Sequence, residues 1–584
     1  MAEDTLWIPR ATSGFALGKE SVLMLDRRSL AVETLEPLTA AVFSRCQAAR
    51  PLHDHVAEAW TSGVSPSATA IADAIDYLVS RGLLREMARP ARVEGPQRSQ
   101  AIETVAIVTA DRPRAVARAL QGLGHQRRRG IGALVIDGSR TNAGHTRAAT
   151  ASKDGTPGLR THYIGVSQTA LLRQHLTSCG IPAAVTEYSL TPGDIGSGRN
   201  IAVLLTAGRP LIMQDDDVIA TTWTEGDADT GAVALAGHAD LRRWRFFGDR
   251  DAVRAALRDL ESGADIADAH GAVLGLSLAD VVGCRDANVS YIDACGHIVA
   301  ALNDAAARKV RVTFAGLAGD AARYCSHGPL FASSPTRRQF WSDEAAFASA
   351  TSSREVTAVA TRVIVGHDPA CVAYCMGVDN TALVPPFMPM GRNEDGVWGA
   401  TLALIAPGAL FAHLPWGVWH ESDRPAQYEN LMPSARQSRL ADFLLFVVTR
   451  LAPTTLATDP ADRLRHLGRL FDDMAMLPAE DFRALVAESK LSTLSQELTR
   501  ASSAAADPAC PVYWRRALED YQRVCRKSVT RPAFFLPIEF HDGDLDAGFA
   551  EMQQFVARFG ELLCWWPEMW SAAKSLDWEQ LTAA

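Results

Sequence analysis

The pattern of apolar and polar positions changes its period twice along the chain. In residues 1 to about 90, three short apolar-rich stretches come first: Gly14 to Lys19, Ser21 to Asp26 and Ala31 to Leu35. Turn-prone polar breaks separate them, which predicts a three-stranded antiparallel meander. Helical spacing follows, with Leu38, Ala41, Val42 and Arg45, then Leu52, Val56 and Trp60. Ser67 to Leu84 is the clearest helix of this part, with Ile71, Ile75, Leu78 and Val79 on one face and Gly82 near its end. Residues 88 to 100 are polar, contain Pro and Gly, and read as a linker.

From residue 101 the period shortens to that of buried strands. Val105 to Val108 is an apolar run, followed by a turn and a helix from Arg114 to about Gly122. Ala133 to Ile136 is the next run and ends in Asp137-Gly138-Ser139. Strand, helix and strand at this spacing open a parallel α/β sheet. A helix beginning near Gly196 carries Arg199 and Asn200 in its first turn and leads into the strand Leu211 to Gln214. Ile219 to Val365 is harder to read: Leu241 to Ser262 looks like a charged helix, Val310 to Phe314 like a strand, and Ser333 to Arg338 like an exposed loop. This stretch is taken as an insertion on the acceptor side. Residues 428 to 584 are helical throughout, with amphipathic spacing in Leu440–Leu451, Ala461–Met474, Ala479–Ala487, Val512–Cys525 and Phe549–Trp570. The expected class is α/β: a small winged-helix-like β3α3 unit over 1–90, a Rossmann-like domain over 101–427 and an all-helical region over 428–584.

The length of 584 residues fits this division. A formal net charge of −9 argues against a nucleic-acid partner. No apolar run is long enough to span a bilayer, and the start lacks a signal-peptide layout, so a cytoplasmic protein with no membrane partner is expected. The ten cysteines are scattered and read as reduced thiols; Cys371 and Cys375 have no partner pair that would make a zinc site.

The chemistry gathers where the strand Leu211-Ile-Met-Gln ends in Asp215-Asp216-Asp217. Carboxyl ends of strands border the ligand crevice of open α/β sheets. Adjacent carboxylates repel unless a cation neutralises them, and a divalent cation such as Mg²⁺ is commonly shared between carboxylates and phosphate oxygens. A solvated acidic turn is the plainer alternative. The helix start at Arg199 would suit a phosphate. A second acidic pair, Glu394-Asp395, lies in an apolar, Pro-rich setting where desolvation would raise a carboxyl toward useful base strength. Asp395 also suits a helix N-cap. His420 follows an aromatic strand-like segment whose Trp416 and Trp419 read as core.

Four stretches occur in order: Thr109-Ala-Asp-Arg-Pro, Val135-Ile-Asp-Gly-Ser, Gly198-Arg-Asn and Leu211-Ile-Met-Gln-Asp-Asp-Asp. Together they resemble the nucleotide-binding half of a GT-A glycosyltransferase of the family 2 type. The resemblance implies a nucleotide-sugar donor, a UDP-sugar being expected, and a divalent cation, Mg or Mn. It implies that Thr109 belongs to the donor site, that Asp137 accepts a hydrogen bond from the base, that Asp215 or Asp216 contacts the ribose, that Asp217 binds the metal and that Arg199 faces the donor. It also makes Asp395, with Glu394 beside it, the acceptor-side base, and His420 an extra metal ligand. One departure is the single acid at Asp137, where the family often has two. Residues 1–90, ending in Leu78-Val-Ser-Arg-Gly-Leu-Leu, resemble the PqqD-like domain, the leader-recognition element of ribosomal-peptide maturation systems; a generic winged helix is the alternative. The combined expectation is an inverting transferase acting on a precursor peptide. Rival readings are a family 2 transferase with a glycan or lipid acceptor, a nucleotidyltransferase, and a non-catalytic peptide-binding scaffold. The helical region would suit packing, acceptor binding or homodimer formation.

Overall fold

Strand Thr104–Thr109 alternates its side chains between two apolar cores, as the pleat requires. Val105 and Ile107 join one core with Val116 and Leu120 of the Pro113–Gly124 helix. Ala106 joins the other with Leu172, Leu204 and Trp566, and Val108 packs against it. Both faces of the strand are covered, which suits a parallel sheet. The computed structural model describes residues 5–9, 12–17, 20–26, 31–46, 50–86, 101–126, 130–151, 159–236, 242–283, 289–292, 307–321, 330, 343–428, 437–452, 457–506 and 510–576. The linker expected at 88–100 and the loop expected at Ser333 to Arg338 lie outside these residues.

The protein is mixed α/β, built on a 13-stranded sheet among the described residues. Leu159–Ile164, Ile131–Asp137, Thr104–Thr109 and Leu211–Asp215 are consecutive parallel neighbours. The chain moves outward from Thr104–Thr109 through two strands, then returns to its other side with Leu211–Asp215. That reversal separates the connections at the carboxyl ends of the two central strands and opens a crevice there. Beyond Leu211–Asp215 the sheet turns mixed. Cys375–Val378 runs antiparallel to it and to Lys309–Asp320, and Lys309–Asp320 runs parallel to Ala409–His420.

The stretch expected to be an acceptor-side insertion is woven into the sheet instead. Lys309–Asp320 sits at its centre, and Val233–Ala236, Arg243–Phe246, Glu355–Val359 and Val363–Gly366 are further strands. The charged helix expected over Leu241 to Ser262 is strand Arg243–Phe246 followed by helix Arg250–Leu257. Alternation in the short Arg-Trp-Arg-Phe run was masked by its charges; Arg243 and Arg245 reach Glu225 while Trp244 is buried.

The first unit has the meander Thr12–Leu17, Ser21–Asp26 and Val32–Leu35 and helices Pro37–Arg45, Leu52–Thr61 and Ala68–Ser80. A ribbon absent from the expectation joins Trp7–Pro9 to Leu84–Glu86. Ile8 in that ribbon is buried with Val233, Leu410 and Leu414 of the large sheet. The C-terminal helices share the larger core: Leu545–Ala573, with Pro567 inside it, packs along Pro460–Ala475. Its Trp566 and Trp570 indoles donate to the Val384 carbonyl and Asn380 Oδ1 at 2.7 and 2.8 Å. Ala479–Ala505 runs 27 residues, well past the expected Ala487. No helix among the described residues is long and apolar enough to cross a membrane. The cysteines described carry no disulfide.

Candidate functional site

The register of two strands builds the acidic end of the crevice. Val218–Trp223 pairs antiparallel with Ala409–His420, with Val218 opposite His420. The Glu421 amide donates to the Asp217 carbonyl at 2.7 Å. His420 therefore lies beside the Asp217 side chain, its Nε2 3.1 Å from Asp217 Oδ1. Its Nδ1 donates to the Asp320 carbonyl at 2.7 Å, and the Asp320 carboxylate is gripped by Arg354 at 2.8 and 3.0 Å. The ring is thus oriented from behind, with Nε2 turned to the carboxylates, the support that metal-ligating histidines have. Asp215, Asp217 and His420 bring ligand atoms within 4.8 Å of one another.

Asp216 points elsewhere. It is buried, accepting from Thr109 Oγ1 at 2.6 Å and from Arg112 Nη1 at 2.5 Å. Arg112 Nη2 reaches Asp217 Oδ2 at 3.0 Å. Arg112 belongs to the Thr109-Ala-Asp-Arg-Pro motif but was read only as part of a turn. Its neighbour Asp111 has φ +58° and accepts from the Thr141 and Asn142 amides at 2.9 Å each, tying the first loop to the second.

The facing wall starts at the Ile195–Leu205 helix. Gly198 sits so close to the central strand that a Cβ would lie 2.4 Å from Val108 Cγ1. A Cβ on Gly196 would meet the Met388 carbonyl. Asn200 exchanges hydrogen bonds with the Phe387 backbone at 2.7 and 3.1 Å, so the helix pins the Pro-rich segment leading to Glu394. Arg199, between them, is buried and bridges Asp215 at 2.9 Å and Glu394. Both of its terminal nitrogens are engaged by the protein's own carboxylates. Asp395 Oδ2 accepts from the Ala373 amide and Oδ1 from the Gly396 amide, both at 2.9 Å. The N-cap of the Glu394–Ile405 helix is Asn393, in the left-handed region at φ +67°, not Asp395. Glu394 and Asp395 occupy the first turn instead.

Charge at this site is unbalanced toward the negative. Asp215, Asp216, Asp217, Glu394 and Asp395 face Arg112, Arg199 and His420. Burial raises the Asp216 carboxyl to about 7 despite Arg112, with Asp217 adding to the rise. Burial likewise raises Asp215 against the pull of Arg199. Burial works the same way on Asp217, but the His420 hydrogen bond and the charges of His420 and Arg112 outweigh it and hold that carboxyl well below its usual range. Burial would lower His420, yet Asp217 takes it up to about 9. Two carboxylates and an imidazole nitrogen that converge under excess negative charge are a donor set a divalent cation fits.

All of these groups line one cavity of about 1000 Å³. At one end Asp137 accepts from Tyr163 Oη at 2.7 Å and from the Ser139 amide at 2.8 Å. Gly138 and Gly193 press together there: a Cβ on Gly138 would lie 2.6 Å from the Gly193 nitrogen. At the other end the helical region contributes Arg439, Asp442, Lys490, Thr493 and Glu497. Trp416 and Trp419 pack against apolar clusters away from the cavity. Every residue singled out from the sequence, Thr109, Asp137, Arg199, Asp215, Asp216, Asp217, Glu394, Asp395 and His420, lines it. Arg112, Tyr163 and the particular residues of the helical wall were not anticipated, although packing and acceptor binding were among the roles expected of the helical region. Arg112 carried a local signal, a cation three residues past a strand end, whereas the wall depends on long-range packing. No model of a known protein family matches the chain, and no curated protein matches it.

Proposed function

We propose that the protein is an inverting, metal-dependent glycosyltransferase of the GT-A, family 2-like type. It would move a sugar from a nucleotide-sugar donor, expected to be a UDP-sugar, to a side chain of a ribosomally made precursor peptide. The observation that carries this reading is the convergence of Asp215, Asp217 and His420 at the sheet's reversal point, in the cavity that Glu394 and Asp395 also line. Its support is that all four family-like stretches border that cavity, through Thr109, Asp137, Arg199 and Asp215–Asp217.

A divalent cation, Mg²⁺ or Mn²⁺, held by Asp215, Asp217 and His420 would neutralise the leaving diphosphate. The chain's own residues do the rest. Arg199 fixes Asp215 and Glu394 at a set separation and stays cationic between them, since both carboxylates offset its burial. Asp395 keeps its carboxylate at the cavity by accepting two backbone amides. It takes the proton from a Ser, Thr or Cys side chain as that atom bonds to the anomeric carbon. The bond from that carbon to the diphosphate breaks on the opposite face, so the configuration inverts and the electron pair leaves with the diphosphate.

The peptide acceptor is supported by the first unit. Val32–Leu35 pairs on one side only among the described residues. Its Glu33 is tied to Arg81, at the end of the Ala68–Ser80 helix, at 2.6 Å. A one-sided strand beside a helix can take up an extended peptide as an added strand, and tethering would raise the core peptide's effective concentration at the cavity. The direct test is to incubate the protein with Mn²⁺ and UDP-, GDP- or dTDP-sugars and measure nucleoside diphosphate release. Chelator-sensitive release from one donor class is expected; no release from any donor removes the transferase reading.

A further inference from the structure

The Ala479–Ala505 helix turns a polar stripe toward the cavity. Lys490, Thr493 and Glu497 line it, and spacings of three and four residues put them on one helix face. Beside them stand Arg439 and Asp442 at the start of the Leu440–Phe446 helix. None of the steps described above uses this wall. Lys490 is only 8% exposed, and its ammonium lies over the Phe534 ring at 5.3 Å. Its polar contacts are long: the Gln437 carbonyl at 3.4 Å and Asp442 at 3.7 Å. Both fall outside the range of a good N–H···O bond, about 2.7–3.2 Å. Asp442 also accepts from the Arg439 amide at 3.1 Å, and Glu497 is engaged by the Tyr521 hydroxyl at 2.6 Å.

A buried ammonium held by long contacts gains from a closer anion. The sides of the cavity also differ in charge. The strand ends carry Asp215, Asp216 and Asp217, whereas the helical side sets Arg439 and Lys490 beside Asp442 and Glu497, acids that accept from the Arg439 amide and the Tyr521 hydroxyl. Small-molecule sites span roughly 300–1,000 Å³, so a cavity of about 1000 Å³ has room beside a donor for part of a second substrate.

We infer that the helical region supplies an acceptor subsite, with Lys490 as its anchoring cation, which takes a carboxylate-bearing segment of the acceptor peptide. The inference rests on the transferase reading for what fills the other half of the cavity. Lys490 turns from its long contacts to the acceptor carboxylate, and the Thr493 hydroxyl, one turn along, which donates to the Ser489 carbonyl at 3.1 Å, offers its lone pairs to an amide of the same segment.

The test uses the full chain and a fluorescein-labelled hexaglutamate peptide, followed by anisotropy with UDP and Mg²⁺ present. Wild type binds it, and unlabelled hexaglutamine does not compete. Lys490→Met keeps the stem and removes the charge, so it weakens binding by roughly tenfold or more. Lys490→Arg restores most of the affinity. UDP binding to Lys490→Met at the wild-type level shows that the variant is folded. Hexaglutamate binding unchanged in Lys490→Met, or equal competition by hexaglutamine, overturns the subsite. Displacement of hexaglutamate by UDP would assign Lys490 to the donor phosphates and overturn it too. If wild type binds no UDP, the transferase reading fails, while the Lys490 comparison without nucleotide still decides the subsite.

Discussion

Adjacent residues at this site do different work. Glu394 is buried against Arg199, whereas Asp395 is half-buried and held by two amides. Glu394→Gln removes one charge from a buried cluster, a change that costs up to roughly 3–5 kcal/mol when a pair is broken; the lower part of that range is expected because Arg199 keeps Asp215. Asp395→Asn loses one amide contact, worth about 1 kcal/mol, but cannot take a proton, so kcat should fall by roughly 10²–10⁴-fold. Urea melts and steady-state kinetics on both variants separate the roles; a stability loss in Asp395→Asn with intact kcat would reverse them. His420 supplies a pH dependence. Burial opposes its charge, but Asp217 raises it to about 9. A raised folded-state value means that, without metal, the pair stabilises the protein fully below the unfolded value of about 6.5. That stability is lost as pH rises through 9. A metal must displace the Nε2 proton, so Mn²⁺ affinity should climb between pH 7 and 9. In His420→Gln the slope should flatten, and a titration series by calorimetry reads it directly. The types and order of these residues were legible because carboxylates ending an apolar run are a local pattern. Their pairing was not: Arg199 with Glu394 joins positions 195 residues apart.

At the scale of elements, close packing positions the site. Gly198 lets the Ile195–Leu205 helix lie against Thr104–Thr109, and that approach sets where Arg199 meets Asp215. Gly198→Ala would push Val108 and the helix apart, costing roughly 1–3 kcal/mol as overpacking and lowering UDP affinity together with stability. A fully stable Gly198→Ala variant with wild-type UDP binding would show that the helix position is not what matters. The parallel strands at 104, 131 and 211 were readable because each is a short apolar run ended by a turn or charge. Between residues 233 and 366, Val310 to Phe314 was readable and is part of Lys309–Asp320. Val233–Ala236, Arg243–Phe246, Glu355–Val359 and Val363–Gly366 were not: they are four or five residues long, some carry charges that pair within the fold, such as Glu355 with Arg250, and they join the sheet out of chain order. The Trp7–Pro9 ribbon was missed for a related reason: a three-residue strand ending in Pro has little pattern of its own.

The whole molecule ties three parts to one cavity. Ile8 buries itself in the large sheet's core, and Trp566 and Trp570 hold the segment running from Asn380 to Val384, ahead of Glu394. A chain beginning at residue 101 should keep nucleotide binding but lose any preference for precursor peptide bearing its leader. It should also be less soluble, because removing Ile8 uncovers Val233 and Leu414. Equal efficiency of whole and shortened chains on peptide with and without leader would favour a glycan acceptor. The metal-dependent nucleotide site is the central claim, and calorimetric titration of UDP into wild type and Asp217→Ala, each with Mn²⁺ and with chelator, tests it most directly. UDP should bind wild type only with Mn²⁺ and should not bind the variant, which should remain folded by circular dichroism. Binding that ignores both the metal and the substitution would contradict it.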